Sequence, residues 1–393
     1  MKKTAIEQLL STQHLMHILQ TGRIGVLCHA ASVDRHGVHL LQILSQAQIS
    51  PKRIFSPEHG LWAAAQDMES VEDTFDAIAG TRVTSLYGHS LETLSPSAEA
   101  LNDLDLILID LQDVGARYYT YVYTAWLLAR ASLQRGMRVV LLDRPNPIGG
   151  VALEGNLVDE RFRSFVGMRS IMTRHGMTIG ELLSMWSCED NLPERSNLEI
   201  VQMQGYDRHA CFDALNLCWV LPSPNMPALE TAILYPGMCL LEGTNLSEGR
   251  GTTRPFETFG APWLDVRTTN EALKLMHLPG VFFRPLSFKP MFQKHAHSLC
   301  HGFQLHITDR QAFRPLLTGM AILSAISALH EDFAWRTEAY EFVADRLAID
   351  LLLGNDILRK RIESQDNPRH ILESMHAESQ TWREQREEFL LYR

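Results

Sequence analysis

Five short apolar runs in the first 150 residues each end in side chains that can bind or react. RIGVLC (23–28) is followed by His29, and KRIF (52–55) by SPEHG, which holds Glu58 and His59. RVTSL (82–86) is followed by Tyr87. LDLILI (104–109) leads into Asp110, Gln112, Asp113 and Arg117, with Tyr118, Tyr119 and Tyr121 behind them. MRVVLL (137–142) leads into Asp143, Arg144 and Asn146. If these runs are parallel strands, their carboxyl ends are where an open α/β sheet binds ligands. A sheet with no ligand needs only turn residues there, so the pattern points to a polar site along one sheet edge. Carboxylates, arginines and tyrosines together suit sugar chemistry. A leaving glycosidic oxygen must be protonated while positive charge grows on the ring, and most glycosidases use two carboxyl groups for this. Arginine can grip a carboxylate on the sugar with two parallel hydrogen bonds.

Other chemistries lack their signatures. The first run is followed by CHAAS rather than GxGxxG, and no GxxxxGK[ST], GxSxG or HExxH occurs. A nucleotide is not expected. KHAHSLCHG (294–302) gathers three histidines and a cysteine, but its spacing matches no common zinc site, and no metal is expected. A metal-assisted amide or ester hydrolase built on the histidines, His59 and His175 among them, is the competing enzyme reading. A sugar-binding protein without turnover is the competing non-enzyme reading.

The elements that must position these residues follow from periodicity. Short apolar runs alternate with helical patterns such as 38–47 and 121–135, which predicts an α/β fold with a mostly parallel sheet. A helix is expected at 178–186, loops over 229–265, strands at 281–288 and 303–308, and helices over 312–330, 338–353 and 368–390. A chain of 393 residues rarely has one core, and we expect two domains, 1–228 and a smaller α+β unit at 229–393. Lys plus Arg total 36 against 46 Asp plus Glu, a net charge of −10, which disfavours nucleic acid as a partner. No window approaches the roughly 18 apolar residues of a membrane span. The six cysteines show no paired spacing and read as reduced core thiols, and the opening MKKTAIEQLLSTQHLMHIL reads as one amphipathic helix rather than a signal peptide. Together these favour the cytoplasm. Oligomeric state leaves no trace in the sequence.

Six segments carry a family resemblance: SPEHG (56–60), DLQDVGARYYTY (110–121), LDRPNPIGG (142–150), RHGMTIGEL (174–182), PSPNMP (222–227) and LYPGMCLLEGTNLSEGRGTTRPFETFGAPW (234–263). In this order they resemble the exo-β-N-acetylmuramidase family. The resemblance implies a Rossmann-like domain without a nucleotide, a smaller carboxyl-terminal domain and a cleft between them. It implies release of β-1,4-linked N-acetylmuramic acid from the non-reducing ends of peptidoglycan fragments, with Glu58 of the PEHG motif as catalytic acid. The second carboxyl group stays open among Asp110, Asp113, Glu242 and Glu248. Arg250 and Arg254 are candidates for the lactyl carboxylate of the sugar, with Arg117 and Arg144 as alternatives. Gly249 and Gly251 would let backbone approach a ligand closely. Tyr119, Asn225, Asn245, Asp143, His29, His59 and His175 complete the candidate contacts. His29 departs from the family, which often carries Asn there.

Overall fold

The computed structural model describes residues 3–76, 80–192 and 195–393. Among the described residues ten strands form two sheets: β1 Ile24–Cys28, β2 Arg53–Ser56, β3 Thr74–Asp76, β4 Thr81–Ser85, β5 Leu106–Asp110, β6 Arg138–Leu142, β7 Leu198–Val201, β8 Thr258–Ala261, β9 Val281–Phe288 and β10 Cys300–Ile307. The first seven lie in the order β3-β4-β2-β1-β5-β6-β7, and only β3 runs antiparallel to its neighbour.

The central strands are apolar throughout because both faces are covered, and alternate residues divide between two cores. Leu106 and Leu108 of β5, with Val26 of β1 and Val140 of β6, pack under the helices Ala5–Leu9, Gln13–Thr21 and Leu40–Gln46. Ile107, Ile109, Leu27 and Val139 face the opposite way, into the core holding the helices Tyr121–Leu133 and Ile179–Glu189. That second core runs on without a break into the carboxyl-terminal half.

There, β8, β10 and β9 make an antiparallel sheet with β10 in the middle. The 229–265 region, expected as loops, contains the helix Leu229–Met238 and β8. Pro236 and Gly237 read as breakers, yet both lie in the helix. Gly237 is where this helix crosses Pro315–Leu329, and a Cβ there would overlap the Pro315 carbonyl. The expected helix 338–353 is helical only over Ala348–Leu353. Before it, Tyr340 and Val343 exchange two backbone hydrogen bonds of 2.9 Å across a tight turn at Glu341 and Phe342. The expected helix 368–390 is two, Pro368–Glu373 and His376–Glu387.

The last of these leads into a strap that returns to the first sheet. Trp382 donates to the His175 carbonyl (2.9 Å), Arg386 to the Gly150 and Gly176 carbonyls (2.9 and 2.7 Å), and the Tyr392 hydroxyl to Asp143 (2.7 Å). Among the described residues, no helix is long and apolar enough to cross a membrane.

Candidate active site

Most polar groups at the strand ends are used to stitch the fold. His29, after β1, accepts the Gln112 amide on Nε2 (2.9 Å), so its proton is on Nδ1 and faces the Pro222 carbonyl at 3.3 Å. Burial holds this imidazole well below its ordinary pKa, and it is neutral at pH 7. Asp110 is bound through both oxygens by Arg144, which also reaches the Val33 carbonyl. Asp113 accepts the Gly115 amide (2.7 Å) and faces His175 Nε2 at 3.4 Å. Asp143 accepts from Thr178, the Gly180 amide and Tyr392 (2.7, 2.9 and 2.7 Å). Arg117 is fully buried and donates to the carbonyls of Asn156, Ile171 and Leu352. These side chains lie outside the cavity described next.

Glu58 is the strand-end carboxylate that reaches it. Its cavity also takes in His59, Tyr119, Asn225, Glu242 and Arg250 of the expected residues. The turn after β2 places it: His59 and Gly60 have φ of 69° and 78°, so the chain reverses just after Glu58. Thr120, before the helix Tyr121–Leu133, donates to the Glu58 carboxylate at 2.8 Å. The Tyr121 hydroxyl lies 3.1 Å from the Glu58 carbonyl and 2.7 Å from that of Pro222, joining β2 to the 222–227 junction. Tyr118, Tyr119 and Tyr121, just before and at the start of the helix Tyr121–Leu133, all reach the wall. The buried Tyr119 hydroxyl, beside Ser223 and Tyr121, makes no hydrogen bond of ordinary geometry. Asn225 is held by Gln66 (2.9 Å).

Two further acids, Asp67 and Glu341, complete the site, and sequence reading missed both. One oxygen from each of Glu58, Asp67 and Glu341 lies within 4.8 Å of the others. Among the described residues this is the grouping that could hold a cation; the histidine-rich stretch converges on no such site. Glu341 receives the Tyr87 hydroxyl at 3.3 Å. Burial, then the charges of Glu58, Asp67 and Glu242, push its carboxyl well above the usual range. No motif marks Asp67 or Glu341, but Tyr87, read as a strand-end residue, touches Glu341.

Arg250 balances part of this charge. Its Nη2 donates to Glu242 (2.6 Å) and Asp67 (3.2 Å), its Nε lies 3.3 Å from Glu248, and its guanidinium covers the Phe256 ring at 5.0 Å. Tyr340 donates to the other Glu242 oxygen at 2.7 Å. Burial raises Glu242, with Arg250 opposing it. Burial would also raise Glu248, but Lys294 and Arg250 hold it below its ordinary value. Gly249 and Gly251 meet protein rather than open space: a Cβ would lie 2.6 Å from the Thr258 carbonyl oxygen at the first, and 2.7 Å from Phe292 backbone at the second. Arg254 is half-exposed and paired with Glu257 (3.1 Å), and Asn245 binds the 332–334 backbone; neither lines the cavity.

The arrangement sets close carboxyl groups that can share a proton beside aromatic side chains, with one guanidinium that can meet a negative substituent. Comparison with known proteins agrees in extent and order. The sequence profile for the amino-terminal part of exo-β-N-acetylmuramidase NamZ matches residues 24–230, and that for the carboxyl-terminal part matches residues 233–392. The chain is 40% identical over 375 residues to peptidoglycan β-N-acetylmuramidase NamZ of Bacillus subtilis, covering 95% of this chain and 88% of that one. Two crystal structures of DUF1343 family proteins from Bacteroides fragilis superpose with TM-scores of 0.86 and 0.78, at 30% and 27% identity, each over 100% of this chain and 99% of the other.

Proposed function

Because the chain belongs to the exo-β-N-acetylmuramidase NamZ family, we propose that it is an exo-acting glycoside hydrolase that releases β-1,4-linked N-acetylmuramic acid from the non-reducing end of peptidoglycan fragments. The observation that carries this reading is Glu58, the glutamate of the family's PEHG motif, buried among other carboxyl groups in an aromatic-walled cavity. Glu58 is the catalytic group we retain from the strand ends; Asp110 and Asp113 support it indirectly, by fixing the β5 exit through Arg144 and Gly115. Of the four candidate arginines, Arg250 is the one at the cavity, and we assign it the lactyl carboxylate. The sugar's carboxylate would take the place of Asp67, whose 3.2 Å contact is longer than that of Glu242. Asn225 and Tyr119 are our choices for the acetamido and ring hydroxyl groups. The cleft falls between our two units, 1–228 and 229–393. The six cysteines are unpaired, which supports a reducing, cytoplasmic setting and a substrate already cut from the wall.

The test is a pair of chromogenic substrates, a β-N-acetylmuramide and the matching β-N-acetylglucosaminide, assayed with and without a chelator. Rapid release from the muramide alone, unchanged by the chelator, is the expected result. Equal rates on both would remove the lactyl assignment. Loss of turnover on chelation, restored by a divalent ion, would instead make the Glu58, Asp67 and Glu341 cluster a metal site.

A further inference from the structure

Every strand-end acid except Glu58 is committed elsewhere, so the partner carboxyl group of the hydrolysis must come from another part of the chain. We infer that it is Glu341, which gives its proton to the leaving oxygen, while Glu58, held by Thr120, faces the sugar ring as the charged group. This rests on the muramidase reading above and divides the labour within that site.

The backbone is the first support. Glu341 and Phe342 have φ of 47° and 66° and form the centre of a two-residue turn closed by Tyr340 and Val343. Successive left-handed residues in such a turn are ordinarily Asn-Gly or Gly-Gly. A glutamate followed by a phenylalanine holds that shape under backbone strain, and strain of this kind clusters at working sites. The strain has a use here: it carries one carboxyl group from the second half of the chain to within 4.8 Å of Glu58.

Hydrogen bonding separates the two roles. Glu58 accepts the Thr120 hydroxyl at 2.8 Å, which fixes the orientation of its carboxyl group. Glu341 receives only the longer 3.3 Å contact from Tyr87. Around Glu341 stand Glu58 and Asp67 from the first half, Glu242 from the 239–243 turn, and Tyr87; Arg250 is spent on Asp67, Glu242 and Glu248. Burial and three neighbouring acids therefore favour the protonated form of Glu341. Such a donor suits the chemistry. As the bond from C1 to the glycosidic oxygen breaks, its electron pair leaves on that oxygen, which takes the Glu341 proton. The electron-poor C1 faces the Glu58 carboxylate. Water then adds its oxygen to C1 and returns one proton to Glu341, so one bond is hydrolysed and one water consumed.

The experiment compares Glu341→Gln and Glu58→Gln on two substrates, the muramyl-glucosamine disaccharide and 4-nitrophenyl β-muramide, across pH. Nitrophenol leaves with little protonation. Glu341→Gln should therefore lower kcat on the disaccharide by at least about 100-fold, lower it far less on the nitrophenyl substrate, and lose the alkaline fall of the pH–rate curve. Glu58→Gln should lower kcat on both substrates alike. Tyr87→Phe guards against a fold defect in Glu341→Gln: without the hydroxyl that favours the ionised form, its alkaline limb should move to higher pH. Equal losses on both substrates in Glu341→Gln, a retained alkaline limb, or an unmoved limb in Tyr87→Phe would overturn the assignment. If the unmodified enzyme cleaves neither muramide, the muramidase reading falls, and this proposal with it.

Discussion

Arg250 shares its guanidinium among Asp67, Glu242 and Glu248 and stacks it on Phe256, with all of these groups buried or nearly so. Breaking a buried ion pair by removing one partner leaves uncompensated charge and costs about 3–5 kcal/mol. Arg250→Ala should therefore unfold at lower urea than the parent, as well as bind muramides poorly. The carboxylates left behind will have pKa values raised in the folded state, so the variant's deficit should grow as pH rises and shrink under mildly acidic conditions. Urea unfolding of both proteins at pH 5 and pH 7.5 measures this. A deficit that does not change with pH would mean the acids find other partners. At this scale the sequence was readable where a residue sits next to a strand. Glu58 ends a strand and carries a motif, and Arg250 lies in a long family segment. Asp67 and Glu341 had no such local sign. Their meeting with Glu58 is made by two loops separated by more than two hundred residues, and residues 338–347 had been read as part of a helix from spacing alone.

Elements were legible where burial on both faces forces an unbroken apolar run, as in β1, β5 and β6. They were illegible where a contact with another element overrules local preference. Leu229–Met238 contains a proline and a glycine near its end, which argue for a loop taken alone. The helix persists because Gly237 and Gly319 let it lie directly against Pro315–Leu329, and because it leads into the turn bearing Glu242. Gly237→Ala forces the two backbones apart, and overpacking of this kind costs about 1–3 kcal/mol. We expect a matching loss in denaturant unfolding together with a fall in kcat, since Glu242 and Arg250 follow in the same segment. Gly237→Ala with full stability would show that the crossing has slack.

Residues 382–392 close over the exits of the first sheet. Trp382, Arg386 and Tyr392 bind groups of the first sheet and its exits, and the Tyr392 hydroxyl meets Asp143, the residue that also caps the helix Ile179–Glu189. Burial pushes the Asp143 carboxyl up to about 7, against the three donors that favour its charged form. A carboxyl group whose folded pKa lies above its unfolded one stabilises most at low pH, and that contribution fades as pH rises from about 4 to about 7. Asp143→Asn cannot titrate, so its stability should change less across that window than the parent's. Unfolding free energies at several pH values give the comparison, and parallel curves would place the titration elsewhere. The strap also has a meaning in time. Asp143 meets Tyr392 across 249 positions of sequence. At roughly 5–20 residues per second of synthesis, that partner reaches the ribosome exit about 12 to 50 seconds later. The exit of β6 is thus made long before its last partner, and it stays open to chaperones, or to neighbouring nascent chains, until residue 392 has emerged.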